Sequence, residues 1–193
     1  MFEMFPRWYA FFYLTTRLGL RTGEVYAIAR DRIRDIPPQL IVDRAVQRGN
    51  KERPAILGPR TNNKVLTLAL TEDVVDAIRW HIQQGYAGPE FLFSKDGYFP
   101  TRIHSHARPL RIVQRALGLR EIGHHQVGRH SVASQAATGG HSIKAIQAQL
   151  GHKSAKSTHQ YAHLGQRAQL RLVADLEPCA PPHVNLRSTR ENR

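Results

Sequence analysis

From Leu150 to Tyr161 the chain reads LGHKSAKSTHQY, an apolar end, a Gly-His pair, then a basic, hydroxyl-rich run that closes on a single tyrosine. A tyrosine set among groups that bind phosphate can attack phosphorus. Its free hydroxyl, with a pKa of about 10, is a weak nucleophile at neutral pH and needs help. Two arginines supply it by gripping the non-bridging oxygens and stabilising the charge that builds in the transition state. A lysine can protonate the leaving 5′ oxygen, and a histidine can move protons or hold the phosphate. Guanidinium groups take the place of a metal ion in this scheme. Its product, a 3′-phosphotyrosine, keeps an ester energy close to that of the original bond, so the strand can be rejoined without ATP.

Other chemistries have less to stand on. Two-metal phosphodiester hydrolysis needs clustered carboxylates, and here acidic residues are scattered singly among basic ones. Zinc stays open as an alternative because there are 11 histidines, with His159 and His163 four apart and His124 and His125 shortly before His130. Against it, no HExxH occurs and Cys179 has no cysteine partner. No Walker-type loop suggests ATP, and no nucleophile elbow suggests Ser-His-Asp hydrolysis.

The charge balance agrees with a phosphate-rich partner. The 193 residues include 28 Lys and Arg against 15 Asp and Glu, a net charge of +13. Nucleic acid is the usual partner of such a surface, and a merely basic surface is the bland alternative. A single cysteine fits a reducing compartment, so a cytoplasmic, nucleoid-associated protein is expected. No apolar run reaches the roughly 20 residues of a membrane span. The aromatic start lacks the basic flank and cleavage site of a signal peptide and reads as a core helix with Pro6 in its first turn.

The elements that must position these groups follow from pattern. A helix is predicted from about Arg7 to Leu18, broken by Gly19, and a second one near Thr22 carrying Glu24, Val25, Ala27 and Ile28. Three β-branched runs come next, 39–46, 53–57 and 64–70, with turn formers between them, and predict a small antiparallel sheet. Thr71 caps a third helix that Gly85 ends. From about Ala107 onward the chain reads as helical, with a last helix near 166–176. The fold class is therefore mainly α with a small antiparallel sheet.

These motifs, in this order, resemble the catalytic domain of the tyrosine recombinase, or phage integrase, family. A first box of the type Thr-Gly-Leu-Arg-x-Gly-Glu stands here as LGLRTGE, which makes Arg21 the first catalytic arginine and Glu24 its supporting acid. A later His-x-Leu-Arg-His box stands as QVGRH, which makes Arg129 the second. Leu150-Gly151-His152 follows, and then Thr158 and Tyr161 with His163 behind them. Tyr161 lies nine residues after His152, the spacing the family uses, which makes it the expected nucleophile. The resemblance covers about 7–164 and implies the tyrosine recombinase fold, no metal and no cofactor. It implies double-stranded DNA as the partner, contacted also by Lys64, His125 and Lys153. It further implies a monomer in solution and a tetramer in the DNA synapse.

Two departures stand out. The family lysine of the strand region is matched best by Arg60 in GPRTNNKVLTL, at a predicted turn, with Lys64 nearby as a substitute and Arg48 or Lys51 as a second register. Arginine holds phosphate well but rarely releases a proton, so general acid catalysis by Arg60 is in question. The family histidine is replaced by Gln126, and His125 fills that place only if the helix start shifts by one residue.

Every one of these residues has a plainer reading. Arg21 pairs with Glu24 on many a helix, Arg129 is one more surface arginine, and His152 suits a helix C-terminus. Tyr161 reads as half-buried, and Arg60 and Lys64 as edge-strand charges. It is the ordered set that favours DNA cleavage and rejoining. A catalytically silent DNA-binding form of the same fold and a basic structural protein remain as alternatives. For domains, a catalytic domain over 1–176 without the helical DNA-clamping domain that relatives carry in front, and a flexible tail over 177–193, are expected. A partner supplying the missing domain would complete the clamp.

Overall fold

The computed structural model describes residues 3–47, 56–60, 65–95 and 106–152, together with Thr158 and Tyr161. Helix α1 (Pro6–Leu18) runs through the middle of the core. Pro6 starts it, where a missing N–H costs nothing, and Gly19 ends it in the left-handed conformation at φ 70°, its N–H bonded to Thr15 O. Ala10, Phe11, Leu14 and Leu18 are buried at helical spacing. Phe11 is the hub of an aromatic group, 4.9 Å from Tyr26, 5.3 Å from Phe93 and 5.3 Å from His106 between ring centres. Helix α3 (Glu72–Gln83), which has Thr71 at its N-cap position but no side-chain capping bond from it, lies against α1 through an edge-on Tyr9–Trp80 contact and an Arg17–Asp73 pair. Between them α2 (Thr22–Tyr26) is a single short turn.

The β region differs from the expected single sheet. β1 (Ile33–Asp35), β2 (Pro38–Val42) and β5 (Leu66–Ala69) form an antiparallel sheet in the order β1-β2-β5, with Leu40 opposite Leu68. β3 (Arg44–Gln47) and β4 (Ile56–Pro59) form a separate two-stranded one. The run 39–46 that reads as one strand is thus cut at Asp43. Its carboxylate accepts hydrogen bonds from Arg32 Nε at 2.8 Å and Arg44 Nε at 2.9 Å. Those charge-assisted bonds draw it out of the strand ladder. β1 was not expected, because the Pro37-Pro38 pair after it reads as turn; it pairs with β2 in register Asp35 to Pro38.

The second half is helical, as its pattern predicts. α4 (Ala107–Ala116) buries Leu110 and Val113 and exposes Arg108, Arg111 and Arg115. A π-helical turn (Gln126–His130) leads into α5 (Ser131–Thr138), and α6 (Ile143–Leu150) follows. Ser142 caps α6 by accepting the Ala145 N–H. The π turn lies close against α1. A Cβ on Gly128 would fall 2.3 Å from Thr15 Cγ2, so the glycine where the family has leucine is what lets the two elements approach. Ala133, Ala137, Ile146, Leu150 and Tyr161 make a small second core beside the large one. The helix expected near 166–176 and the tail lie outside the described residues.

Candidate active site

Four elements converge where the two cores meet. Arg21 is the extended residue before α2. The buried Glu24 carboxylate accepts the Arg21 backbone N–H at Oε2, 2.8 Å, and at Oε1 the Arg21 Nη1 at 3.1 Å and the Arg60 Nε at 2.8 Å. One carboxylate therefore gathers two guanidinium groups. Arg60 follows directly after β4, fixed by its N–H to Asp43 O, and is only 3% exposed. It sits deep in the site, against the end of α6. Gly151 closes that helix with φ 59°, and a Cβ there would lie 2.2 Å from Arg60 Nη2. Glycine is required twice over, for its left-handed backbone and for the guanidinium packed on it.

Arg129, on the π turn, is 4% exposed. Its Nη1 donates to Gly19 O at 3.1 Å, its Nη2 to Leu150 O, and its Nε to His152 Nε2 at 3.2 Å. Because Nε2 accepts, neutral His152 carries its proton on Nδ1, which donates to Thr158 Oγ1 at 2.8 Å. Burial, then Arg129 and Arg21, pushes the His152 pKa down to about 4, so the ring is neutral at pH 7. Burial, then Arg21, lowers Arg129 to about 10, partly opposed by Glu24, and it stays charged at neutral pH.

Tyr161 is 7% exposed, and its hydroxyl bonds to His130 Nδ1. The two ring centres are 6.0 Å apart, and the phenol lies within electrostatic reach of Arg129. Gln126, at the family histidine position, uses its side-chain oxygen to accept the Gly123 N–H at 3.2 Å. His125 lies edge-on to His130, ring centres 4.5 Å apart. A π turn closes over five residues rather than four, so His125 and His130 share a face. Burial, then His130, Arg129 and Arg21, holds the His125 pKa below its usual value. Lys64, Lys153, Arg48 and Lys51 lie outside the described residues.

Two histidines were not singled out by sequence for any role but a metal. His124 is buried between Thr15 Oγ1, 3.1 Å from Nε2, and Thr22 Oγ1, 2.9 Å from Nδ1. It ties α1 to the first residue of α2, and so fixes where Arg21 stands. Burial, then His106 and His125, drives its pKa down to about 3. His130 is the second. The signal available was its place directly after Arg129, in a box that ends Arg-His. Among the described residues no three His, Cys, Asp or Glu side chains gather as a metal site.

A family model described as "Phage integrase family" matches residues 6–167. The chain belongs to that family, and the tyrosine recombinase catalytic fold frames the site just described. Among curated relatives, tyrosine recombinase XerC of Rhodospirillum centenum is 28% identical over 172 residues, 89% of this chain and 46% of the relative. Tyrosine recombinase XerD of Corynebacterium glutamicum is 29% identical over 146 residues, 76% of this chain and 44% of the relative. The chain thus spans about half the length of the curated relatives it matches. Among solved structures, the Tn1549 transposon integrase in complex with transposon right end DNA superposes with a TM-score of 0.72 at 18% identity. That match covers 89% of this chain and 60% of the integrase. XerA recombinase superposes at 0.64 and 21% identity, covering 87% of this chain and 56% of its own. No described helix is long and apolar enough to cross a membrane.

Proposed function

We propose that the chain cuts and rejoins DNA strands through a 3′-phosphotyrosine on Tyr161, as in site-specific recombination or integration. The observation that carries this is the Arg129–His152 hydrogen bond, with Arg21 and Arg60 gathered on Glu24 beside it. Three cationic side chains around one acid leave a net positive centre, suited to a phosphodiester and its transition state. Three of the five N–H groups of Arg129 hold protein atoms, and two remain for phosphate oxygens. In the forward step Tyr161 Oη bonds to phosphorus and the bond to the 5′ oxygen breaks, that oxygen taking a proton. Arg60 stabilises charge and does not donate that proton, and Lys64 is the residue proposed to supply it. His125 takes the part of the family histidine. The DNA in the Tn1549 integrase structure supports double-stranded DNA as the substrate.

Nicked suicide duplexes followed by a denaturing gel test this. Wild type forms a covalent adduct, in EDTA as well as in Mg²⁺, and Tyr161→Phe forms none while binding DNA nearly as tightly. Adducts in the Phe variant would move the nucleophile elsewhere. A second reading, a DNA-binding protein without cleavage, is favoured by the commitment of Gln126 to Gly123. It predicts salt-dependent binding and no adduct from wild type.

A further inference from the structure

The hydroxyl of Tyr161 is hydrogen-bonded to the side chain of His130. His130 belongs neither to the Glu24 cluster nor to the Arg129–His152 pair, and nothing in the proposed reaction has yet used it. We propose that His130 is a catalytic residue that holds Tyr161 in place and accepts its phenolic proton as the tyrosine attacks.

The inference rests on Tyr161 being the nucleophile. An aligned phenol at neutral pH is almost wholly protonated, since its free pKa is about 10. Attack therefore needs a base within hydrogen-bond reach of the oxygen, and Nδ1 of His130 has that reach. As Oη bonds to phosphorus, its proton passes to Nδ1, the bond to the 5′ oxygen breaks, and His130 becomes an imidazolium. When the strand is rejoined, the imidazolium returns that proton to the departing phenolic oxygen. Nothing is consumed over the cycle, and no oxidant or cofactor enters it.

The setting fits a base. His130 precedes α5 directly, on the last residue of the π turn, so its ring is fixed to the same rigid turn that carries Arg129. Among the described residues its titratable neighbours are Tyr161 itself, the His125 ring 4.5 Å away and His152, on which it acts electrostatically. His125 and His152 both have pKa values held low by burial and by Arg129 and Arg21. The sequence separates the paired residues by 31 positions, and they meet where Tyr161 packs into the small core of α5 and α6.

Single-turnover adduct formation on a nicked duplex, from pH 6 to pH 9, tests the assignment. The proteins are wild type, Tyr161→Phe, His130→Asn and His130→Gln. Both amides can accept the phenolic hydrogen bond and neither can take the proton. Thermal melts and DNA binding identify any variant that has misfolded, and the other then carries the test. Tyr161→Phe settles the nucleophile first. Given wild-type adducts, the amide variants should be slower by about 10²–10⁴ at pH 7. Their rates should climb roughly tenfold per pH unit while wild type levels off, because hydroxide then removes the proton. A variant rate within about threefold of wild type, or a slowed rate that parallels wild type at every pH, overturns the proton-accepting role. Absence of adducts from wild type removes the Tyr161 reading and this inference with it.

Discussion

The site is shared by two regions built in different ways. The large core, formed by α1, the sheets and α3, presents Arg21, Glu24 and Arg60 as a buried ion cluster tied to strand and helix ends. The small core of α5 and α6 presents Tyr161 through a few alanines, Ile146, Leu150 and one histidine. Arg129 joins them, with one Nη on Gly19 O at the end of α1 and the other on Leu150 O at the end of α6. The charge-stabilising half is thus held by several charge-assisted hydrogen bonds, whereas among the described residues the nucleophile sits in an apolar cluster beside one histidine. That difference suits the proposed reaction, in which the arginines keep their place and the tyrosine becomes bonded to DNA.

Acid should have the largest effect, and mainly through the large core. His81 and His124 there have pKa values pushed to about 4 and about 3, and His152 in the site to about 4, burial being the main cause each time. The unfolded chain takes up protons near pH 6.5, where these native rings do not. Stability is then whole above about pH 6.5 and falls as pH drops toward 4. By pH 5 the loss is about 2 kcal/mol at most for each ring. Urea melts at pH 7 and pH 5 check this, and equal midpoints would show that these rings are charged in the native state.

Next comes Glu24→Ala. It leaves the Arg21 and Arg60 guanidinium groups without their buried counter-charge, and removal of one partner of a buried pair costs about 3–5 kcal/mol. A loss under about 1 kcal/mol in the same urea melts would mean that the cluster is well solvated.

Gly151→Ala and Gly118→Ala compare a left-handed glycine packed on Arg60 with one in open space. Both have positive φ, 59° and 65°, and nothing lies within 4 Å of a Cβ built on Gly118. Gly118→Ala should cost about 1–2 kcal/mol, the backbone share alone. Gly151→Ala should cost more and lower adduct formation as Arg60 is displaced. Equal costs would show that Arg60 yields freely.

How much of this could be read in the sequence follows the same division. Arg21, Arg129, His152 and Tyr161 stand in short local boxes, so their order along the chain could be read directly. Helices with strong periodicity, such as α1 and α4, were legible for the same reason. The cut at Asp43 was not, because it depends on Arg32, eleven residues away and on another element. Nor was the π turn, since its extra residue leaves the apolar pattern of the neighbouring helix unchanged while it moves His125 onto a new face. The buried state of Arg60 was hidden too. An arginine beside turn formers reads as exposed, whereas here Glu24 and the bare Gly151 backbone accommodate a buried one.

Arg60→Lys should have the smallest effect on stability and tell most about the chemistry. Lysine keeps a charge for Glu24 but loses the planar fork and the contact with Gly151, at a cost of about 1 kcal/mol. The question is whether a proton from position 60 reaches the 5′ oxygen. A 5′-bridging phosphorothiolate removes the need for that proton, because a thiolate leaves readily. Wild type should therefore react faster on sulfur than on oxygen if no efficient acid is present. Since Glu24 Oε1 holds the group at position 60, 2.8 Å away, a lysine there stays on the carboxylate and keeps its proton. With Lys64 as the acid, Arg60→Lys should change the sulfur-to-oxygen rate ratio by less than about tenfold, and Lys64→Ala should raise it. Collapse of the advantage in Arg60→Lys would place position 60 within reach of the leaving oxygen. It would also show that the Glu24 cluster opens when DNA binds, making the two halves of the site less different than they look.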